Sequence, residues 1–154
     1  MEENVMKQMK LAKLTKGILD FMFYSGIVVC LTLPLSLKFV GNYYKLFQEY
    51  YYELLVLFFV SGAFAVLIIL ELRRMFSTVL KEDCFVEDNV RALRRMGNYS
   101  FCITFISLLR LFVVVTPAVL VIILVFVIAG LFSKVLANVF DQAITYKLEN
   151  DLTI

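Results

Sequence analysis

Long apolar runs alternate with short polar segments along this chain. A helix needs about 20 apolar residues to cross the hydrocarbon core of a bilayer, and two runs in the N-terminal half fit that length. A third apolar block, from Gly97 to Phe140, has room for two helices. Thr116-Pro117 divides it, because proline has no amide hydrogen and disfavours helical geometry in the residue before it. The pattern predicts four spans, at about 17–37, 53–72, 98–115 and 117–137.

Composition supports a membrane protein. Of the 154 residues, 62% are hydrophobic and 18% are charged, and the mean hydropathy is +0.87. A soluble domain holds roughly 45–50% apolar residues and buries only about two-thirds of its chain surface, so the surplus here must face lipid. The first apolar run is long and has no small-residue cleavage site, which indicates a span and not a signal peptide. We predict an all-α fold, an integral membrane four-helix bundle with cytoplasmic amphipathic helical extensions, in one domain covering residues 1–154.

Lysine and arginine predict the orientation. Twelve of them lie before the first span, between the second and third, or at and after the end of the fourth, whereas the other side has only Lys38 and Lys45. Cytoplasmic segments carry this excess, so we expect a multi-pass protein of the cell membrane with both termini in the cytoplasm. The outer loop, 38–52, contains five tyrosines. They favour an interfacial aromatic belt, with a ligand-binding cage as the alternative.

Helical patterns continue outside the predicted spans. In the cytoplasmic loop, 73–97, Glu87 or Asp88 is placed to cap a helix that runs into the third span. The tail, 138–154, has the spacing of an amphipathic helix that continues the fourth span. It has two apolar stripes, one through Val139, Ala143 and Tyr146 and the other through Leu136, Phe140 and Ile144. The N-terminal lysines recur at every third position, which resembles an interfacial helix.

The cytoplasmic segments also hold the candidate docking residues. Arg91, Arg94 and Arg95 cluster on one side of the loop helix, where they either attract anionic lipid or dock a cytoplasmic protein. We expect the tail to return along the inner membrane surface and meet this helix, held mainly by the Val139 stripe. The acidic and polar tail residues would then complete one docking surface: Asp141, Glu149, Asn150 and Asp151.

Charged residues inside spans are costly and normally have a partner. Lys16 precedes Asp20 by one turn and is its expected partner. For Arg110 in the third span, Glu53 at the start of the second is the expected partner. Small residues four apart, Ser61 with Ala65 and Ala129 with Ser133 and Ala137, indicate close helix packing within the bundle, with a homodimer as the alternative.

The chain offers little chemistry for catalysis. It has no histidine, and its three cysteines are far apart in sequence, without metal-type or dithiol spacing. Nucleophilic catalysis lacks a base, and paired carboxylates and glycine-rich phosphate loops are absent. We therefore expect no enzyme, no cofactor, no metal and no direct binding of nucleic acid.

Two strings resemble a known bacterial family. The loop string from Phe85 to Gly97 and the terminal string from Glu149 to Ile154 match the patterns F-S-x-E-N-x-x-x-L-(R/K)-x-(I/M)-G and E-N-D-L-T-(I/V) of the domain of unknown function 2975 family. Val86 stands where the family often has serine, and Asp88 where it has glutamate. The resemblance implies a four-span membrane protein. It also implies a genomic neighbour, a small helix-turn-helix regulator of the Cro/C1 type.

These observations lead to two hypotheses. The first is a membrane-bound regulatory protein whose cytoplasmic loop and tail dock or silence that regulator. The second is a small transporter, channel or immunity protein that acts within the bilayer. The second requires polar residues that converge at mid-depth. It would be favoured if Arg110, Ser107, Thr104 and Asn98 lined one cavity with Glu53.

Overall fold

The computed structural model describes residues 2–81 and 85–152, with side chains from residue 9 to 81 and from 85 to 150. The elements are α1 (Glu2–Gly41), α2 (Lys45–Glu49), α3 (Tyr51–Val79), α4 (Glu87–Val113) and α5 (Pro117–Leu152). No strand occurs in these two ranges. Four of the helices are long and apolar enough to cross a membrane. The predicted all-α membrane bundle of four helices is confirmed, and the chain is a multi-pass membrane protein.

The four long helices run antiparallel in chain order. α1 packs on α3, α3 on α4, and α4 on α5, while the short α2 lies against α1 and α3. No Cα atoms of α1 and α5 in the described ranges come within 8 Å of each other. We call the end with the connection 80–86 the basic end, and the end with the connections 42–50 and 114–116 the tyrosine end.

The helices are longer than the predicted spans. α1 is one helix from residue 2, so the lysine stripe belongs to the same helix as the first span and does not form a separate interfacial helix. α3 and α4 both continue into the predicted loop and leave only residues 80–86 between them. The predicted break at Pro117 is confirmed: α4 ends at Val113, and Pro117 is the first residue of α5, where a missing amide hydrogen costs nothing.

The apolar surface of the bundle faces outward. Phe21, Leu31 and Phe112 are 75%, 71% and 90% exposed, as expected of side chains in contact with lipid. The interior holds a few large apolar side chains, such as Leu54 and Val119, and on α5 it also holds the small residues Ser133 and Ala137, which are 8% and 0% exposed. This use of the small-residue face of α5 confirms the predicted packing within the bundle.

α4 and α5 approach each other closely at two glycines. A Cβ atom added to Gly97 would lie 3.2 Å from the carbonyl oxygen of Gly130 and 3.0 Å from the Lys134 side chain. One added to Gly130 would lie 2.9 Å from the ring of Phe101. The neighbouring helix, and not the local backbone, therefore disfavours a larger residue at these two positions.

Hydroxyl groups inside the spans mostly bond to their own helix. Ser25 donates to the carbonyl oxygen of Met22, Thr32 to that of Val28 and Thr104 to that of Ser100, at 3.0–3.1 Å. Lipid supplies no hydrogen-bond partner, so these internal bonds make the hydroxyls tolerable in the membrane.

Candidate functional site

The polar contacts concentrate at the basic end, where three helices continue past the apolar part of the bundle. The three helix ends share a hydrophobic core formed by Val90, Leu93 and Ala137. Four partly buried side chains pack against this core: Met75, Leu136, Phe140 and Ile144. The ring of Phe85, just before α4, lies 5.3 Å from that of Phe140. We call this unit, residues 71–79, 85–97 and 133–150, the basic-end platform.

An ion pair between a partly exposed arginine and a buried glutamate joins α3 and α4 within the platform. The carboxylate of Glu71 is 4% exposed and accepts hydrogen bonds from Nε and Nη2 of Arg95, at 2.8 and 2.9 Å. Arg74, one turn later on α3, lies 3.5 Å from the same carboxylate. Two parallel bonds between a guanidinium and a carboxylate fix both distance and orientation, so this pair sets the register of α3 against α4.

A second polar contact lies closer to the connection. Asn89 is 2% exposed, and its Nδ2 donates to Oγ1 of Thr78 at 2.8 Å. The Thr78 hydroxyl in turn donates to the carbonyl oxygen of Met75 at 2.7 Å. Asn89 belongs to the loop string quoted above, and its burial gives that position a structural role.

Two further contacts join α4 to α5. Arg94 donates to the carboxylate of Asp141 at 2.8 Å, with both side chains about half exposed. Lys134 donates to the amide oxygen of Asn98 at 2.7 Å, one turn closer to the bundle. α5 is therefore held against α4 by a polar contact at each of two levels.

The start of α4 differs from the prediction. Val86 is the N-cap residue, with an extended backbone and no side-chain cap, and Glu87 and Asp88 lie in the first turn. The two carboxylates still favour that turn electrostatically, because the amide end of a helix carries partial positive charge. The family pattern has serine at the position of Val86, which is where a capping hydroxyl would act.

The partner predicted for Asp20 is wrong. Its carboxylate accepts a hydrogen bond from Nε of Arg73 on α3 and does not pair with Lys16. The Arg73 guanidinium also lies 4.5 Å above the ring of Phe23 on α1. A contact between two helices thus replaces the expected pair within one helix.

The path of the tail also differs. α5 does not turn back but continues as one helix to Leu152, and it meets α4 because the two helices are antiparallel. Val139 and Tyr146, on the stripe expected to hold the tail, are 52% and 67% exposed. The other stripe, Leu136, Phe140 and Ile144, packs against the platform core.

The predicted docking residues are only partly brought together. Arg94 meets Asp141, but Arg95 turns to Glu71 and Arg91 pairs with Glu87 one turn before it on α4, at 2.8 Å. Glu149 and Asn150 lie in the last turns of α5, and the side chain of Asp151 lies outside the described residues. The outer face of α5 forms a shallow groove of about 480 Å³ lined by Asn138, Asp141, Gln142, Thr145, Tyr146 and Glu149.

Inside the membrane, the predicted pair between Glu53 and Arg110 does not form. Among the described residues Arg110 has no acidic partner, and its guanidinium lies 4.6 Å above the ring of Phe58. Five residues separate Glu53 from Phe58, about 140° around a helix, so the two side chains leave α3 in different directions. Glu53 is exposed.

Arg110 lines an intramembrane cleft of about 280 Å³ to which all four long helices contribute. Its lining includes Cys30 of α1, Gly62 of α3, Ser107 of α4 and Phe126 of α5. Of the five residues whose convergence would favour a transport pathway, only Arg110 and Ser107 line this cleft. Thr104 and Asn98 bond elsewhere, to Ser100 and Lys134.

Sequence reasoning missed Glu71, the most buried charge of the described chain. Its signal was present, since it is an acidic residue near the end of an apolar run and charges in such runs normally have partners. Within the described ranges no three histidine, cysteine or acidic side chains are placed to hold a metal ion.

Comparison with known proteins gives one match. A family model described as "Protein of unknown function (DUF2975)" matches residues 36–154, from the last turns of α1 to the C-terminus. No curated protein matches the chain. No solved structure matches it either.

Proposed function

The chain belongs to the DUF2975 family of proteins of unknown function, and we propose that it is a membrane-embedded interaction protein whose basic-end platform docks a small DNA-binding regulator in the cytoplasm. The observation that carries the proposal is the platform itself. Three helices leave the apolar bundle and are joined outside it by a core of their own and by side-chain contacts across both helix interfaces. Lipid-facing helices need no such structure.

The groove on α5 has the chemistry of a surface for a basic partner. It carries Glu149 and Asp141, the latter shared with Arg94 of α4, together with the hydrogen-bonding side chains of Asn138, Gln142 and Thr145. The surface by which a regulator reads DNA is rich in lysine and arginine, because it must neutralise phosphates. An acidic groove that covers that surface would hold the regulator at the membrane and keep it from DNA.

The outer face of α5 also offers apolar anchors beside these polar groups. Tyr146 and Leu148 are 67% and 58% exposed, although they lie beyond the apolar part of the chain. Aromatic side chains with a polar tip are frequent anchors in protein interfaces. α5 continues about eight residues, roughly 12 Å, past Ile144, its last contact with the platform core, and so reaches toward a partner.

The test is co-purification of the full-length protein with a helix-turn-helix regulator encoded beside it. Glu149→Arg introduces a cation into the groove and should reduce the retained regulator at least tenfold. Glu49→Arg makes the same charge change on α2, at the tyrosine end, and should leave retention unchanged. Equal retention by both variants and the wild type would show that the groove is not the docking surface.

A truncation gives an independent measurement. Removing residues 149–154 should release the regulator, while the melting temperature stays close to that of the full chain because the platform core ends at Ile144. Full retention by an intact truncated protein would exclude the end of α5 from the docking surface.

A further inference from the structure

We propose that the intramembrane cleft binds a single-chain amphiphile with a carboxylate head group, with Arg110 holding the head group and the apolar walls holding the chain. The site lies inside the bundle near the tyrosine end, so it is separate from the docking surface on the platform. Three observations support the proposal: Arg110 has no acidic partner among the described residues, the Ser107 hydroxyl makes no side-chain hydrogen bond among them, and the cleft has the volume for part of one chain.

Arg110 offers unused hydrogen-bond donors in an apolar place. Within the described chain its guanidinium meets only the face of Phe58 and no carboxylate. A guanidinium carries five N–H donors in a planar fork that matches the two oxygens of a carboxylate. A charge in this position is costly unless it is paired, so an anion from outside the chain is its natural complement.

The depth of the guanidinium favours a carboxylate over the phosphate of a phospholipid. The contacts of Phe64 with Tyr99 and of Glu71 with Arg95 give the register of α3 and α4, by which Arg110 lies about level with residues 53–56 of α3. Phe58, over which the guanidinium lies, is two to five residues, or about 3–8 Å, farther from the tyrosine end. The side chain therefore points into the bundle, away from the helix ends at which a phosphate head group would stay.

Ser107 supplies a second polar group in the same cleft. It is 4% exposed, and unlike Thr104 it makes no side-chain hydrogen bond within the described residues. Three residues separate it from Arg110, which places both on one face of α4. The hydroxyl and the guanidinium thus form a pair of neighbouring donors, and the remaining walls are mostly apolar.

The size of the cleft fits the head group and the first part of one chain. Its volume of about 280 Å³ equals about nine water molecules in the liquid, so the rest of a long chain would lie along the lipid-facing surface, and two chains of a phospholipid would not fit. Gly62 and Ala65 keep it open on the α3 side, and a Cβ atom on Gly62 would lie 2.8 Å from Sγ of Cys30. Larger residues here would fill the space.

Native mass spectrometry of the purified full-length protein in detergent tests the site, with oleic acid as the probe. We expect one equivalent to bind at least tenfold more tightly than oleyl alcohol, which has the same chain without the charge. Arg110→Gln should abolish that preference and leave alcohol binding unchanged. Lys45→Gln removes a cation at the same end but outside the cleft, and should change nothing.

A variant that fills the cleft keeps the proposal testable if Arg110→Gln does not fold. Ala65→Leu should weaken acid and alcohol alike, and the comparison of acid with alcohol on the wild type requires no variant at all. Equal binding of the two probes would overturn the proposal, as would an unchanged preference in folded Arg110→Gln. Displacement of oleic acid by an equal concentration of phosphatidylglycerol would assign the cleft to phospholipid instead.

Discussion

Arg95 and Glu71 lie 24 residues apart in the sequence and meet in two hydrogen bonds of 2.8 and 2.9 Å, where α3 and α4 leave the apolar bundle. The glutamate is 4% exposed, whereas the arginine side chain is 43% exposed. The carboxylate therefore depends on this guanidinium more than the guanidinium depends on the carboxylate.

Loss of that guanidinium should destabilise the protein. Arg95→Gln leaves a buried carboxylate with only the weaker contact to Arg74, and we expect a loss of about 2 kcal/mol, less than for a fully buried pair because Arg95 is partly exposed. Arg91→Gln, one turn away on the same helix, breaks an exposed pair worth about 0.3–0.5 kcal/mol. Melting curves of the two variants in one detergent make the comparison. Equal shifts would show that the Glu71 pair contributes no more than a surface pair.

A serine in place of Val86 should strengthen the start of α4. Val86 is the N-cap residue and has no side-chain cap, and a capping hydroxyl contributes about 1 kcal/mol. Val86→Ala is the matched control, since it removes the same apolar side chain without adding an acceptor. The melting temperature of the serine variant should exceed that of the alanine variant, and the reverse order would mean that no cap forms.

Alanine should have opposite effects at two glycines. Gly17→Ala meets nothing within 4 Å and should stabilise α1 by about 0.5–1 kcal/mol through helix propensity. Gly97→Ala meets the backbone oxygen of Gly130 at 3.2 Å, which cannot move away, so we expect a net loss of about 1 kcal/mol. Thermal unfolding of both variants measures the difference. Stabilisation by both would refute the close approach of α4 and α5.

Orientation remains a prediction from the distribution of lysine and arginine. Single cysteines at Asn42 and Asn150, in a background without the three native cysteines, place a thiol at each end of the bundle. In intact cells an impermeant thiol reagent should label position 42 and leave position 150 unlabelled. Labelling at position 150 alone would show that the protein has the opposite orientation, and it would rule out a cytoplasmic platform.

The spans could be predicted because each depends on the composition of about 20 consecutive residues, and the break at Pro117 because it depends on one residue's covalent structure. The ion-pair partners of charged residues were harder to predict from the sequence. Lys16 lies at the right spacing to pair with Asp20, and only the packing of α1 on α3 gives the carboxylate to Arg73, 53 residues away.

The tail shows the same limit in another form. Its two apolar stripes have equal helical spacing, so the pattern predicts a helix without saying which stripe faces α4. The choice of Leu136, Phe140 and Ile144 depends on the direction in which α5 leaves Pro117, and that direction is set by the packing of the whole helix. The role of Glu71 was missed for a related reason. A run of apolar residues predicts where a helix crosses the membrane, but it does not predict which residue of a neighbouring helix a given side chain contacts.

The order in which the helices touch has a consequence for synthesis at the membrane. Each long helix packs on the next long helix in the chain, and α1 has no backbone contact with α5 among the described residues. Each packed pair of long helices consists of consecutive helices. The contacts of a pair can therefore form as soon as the second helix of that pair has entered the bilayer. The pair of Asp20 with Arg73 would form while α4 and α5 are still on the ribosome. Contacts so local in sequence favour fast assembly and shorten the time for which an unpaired charge faces lipid.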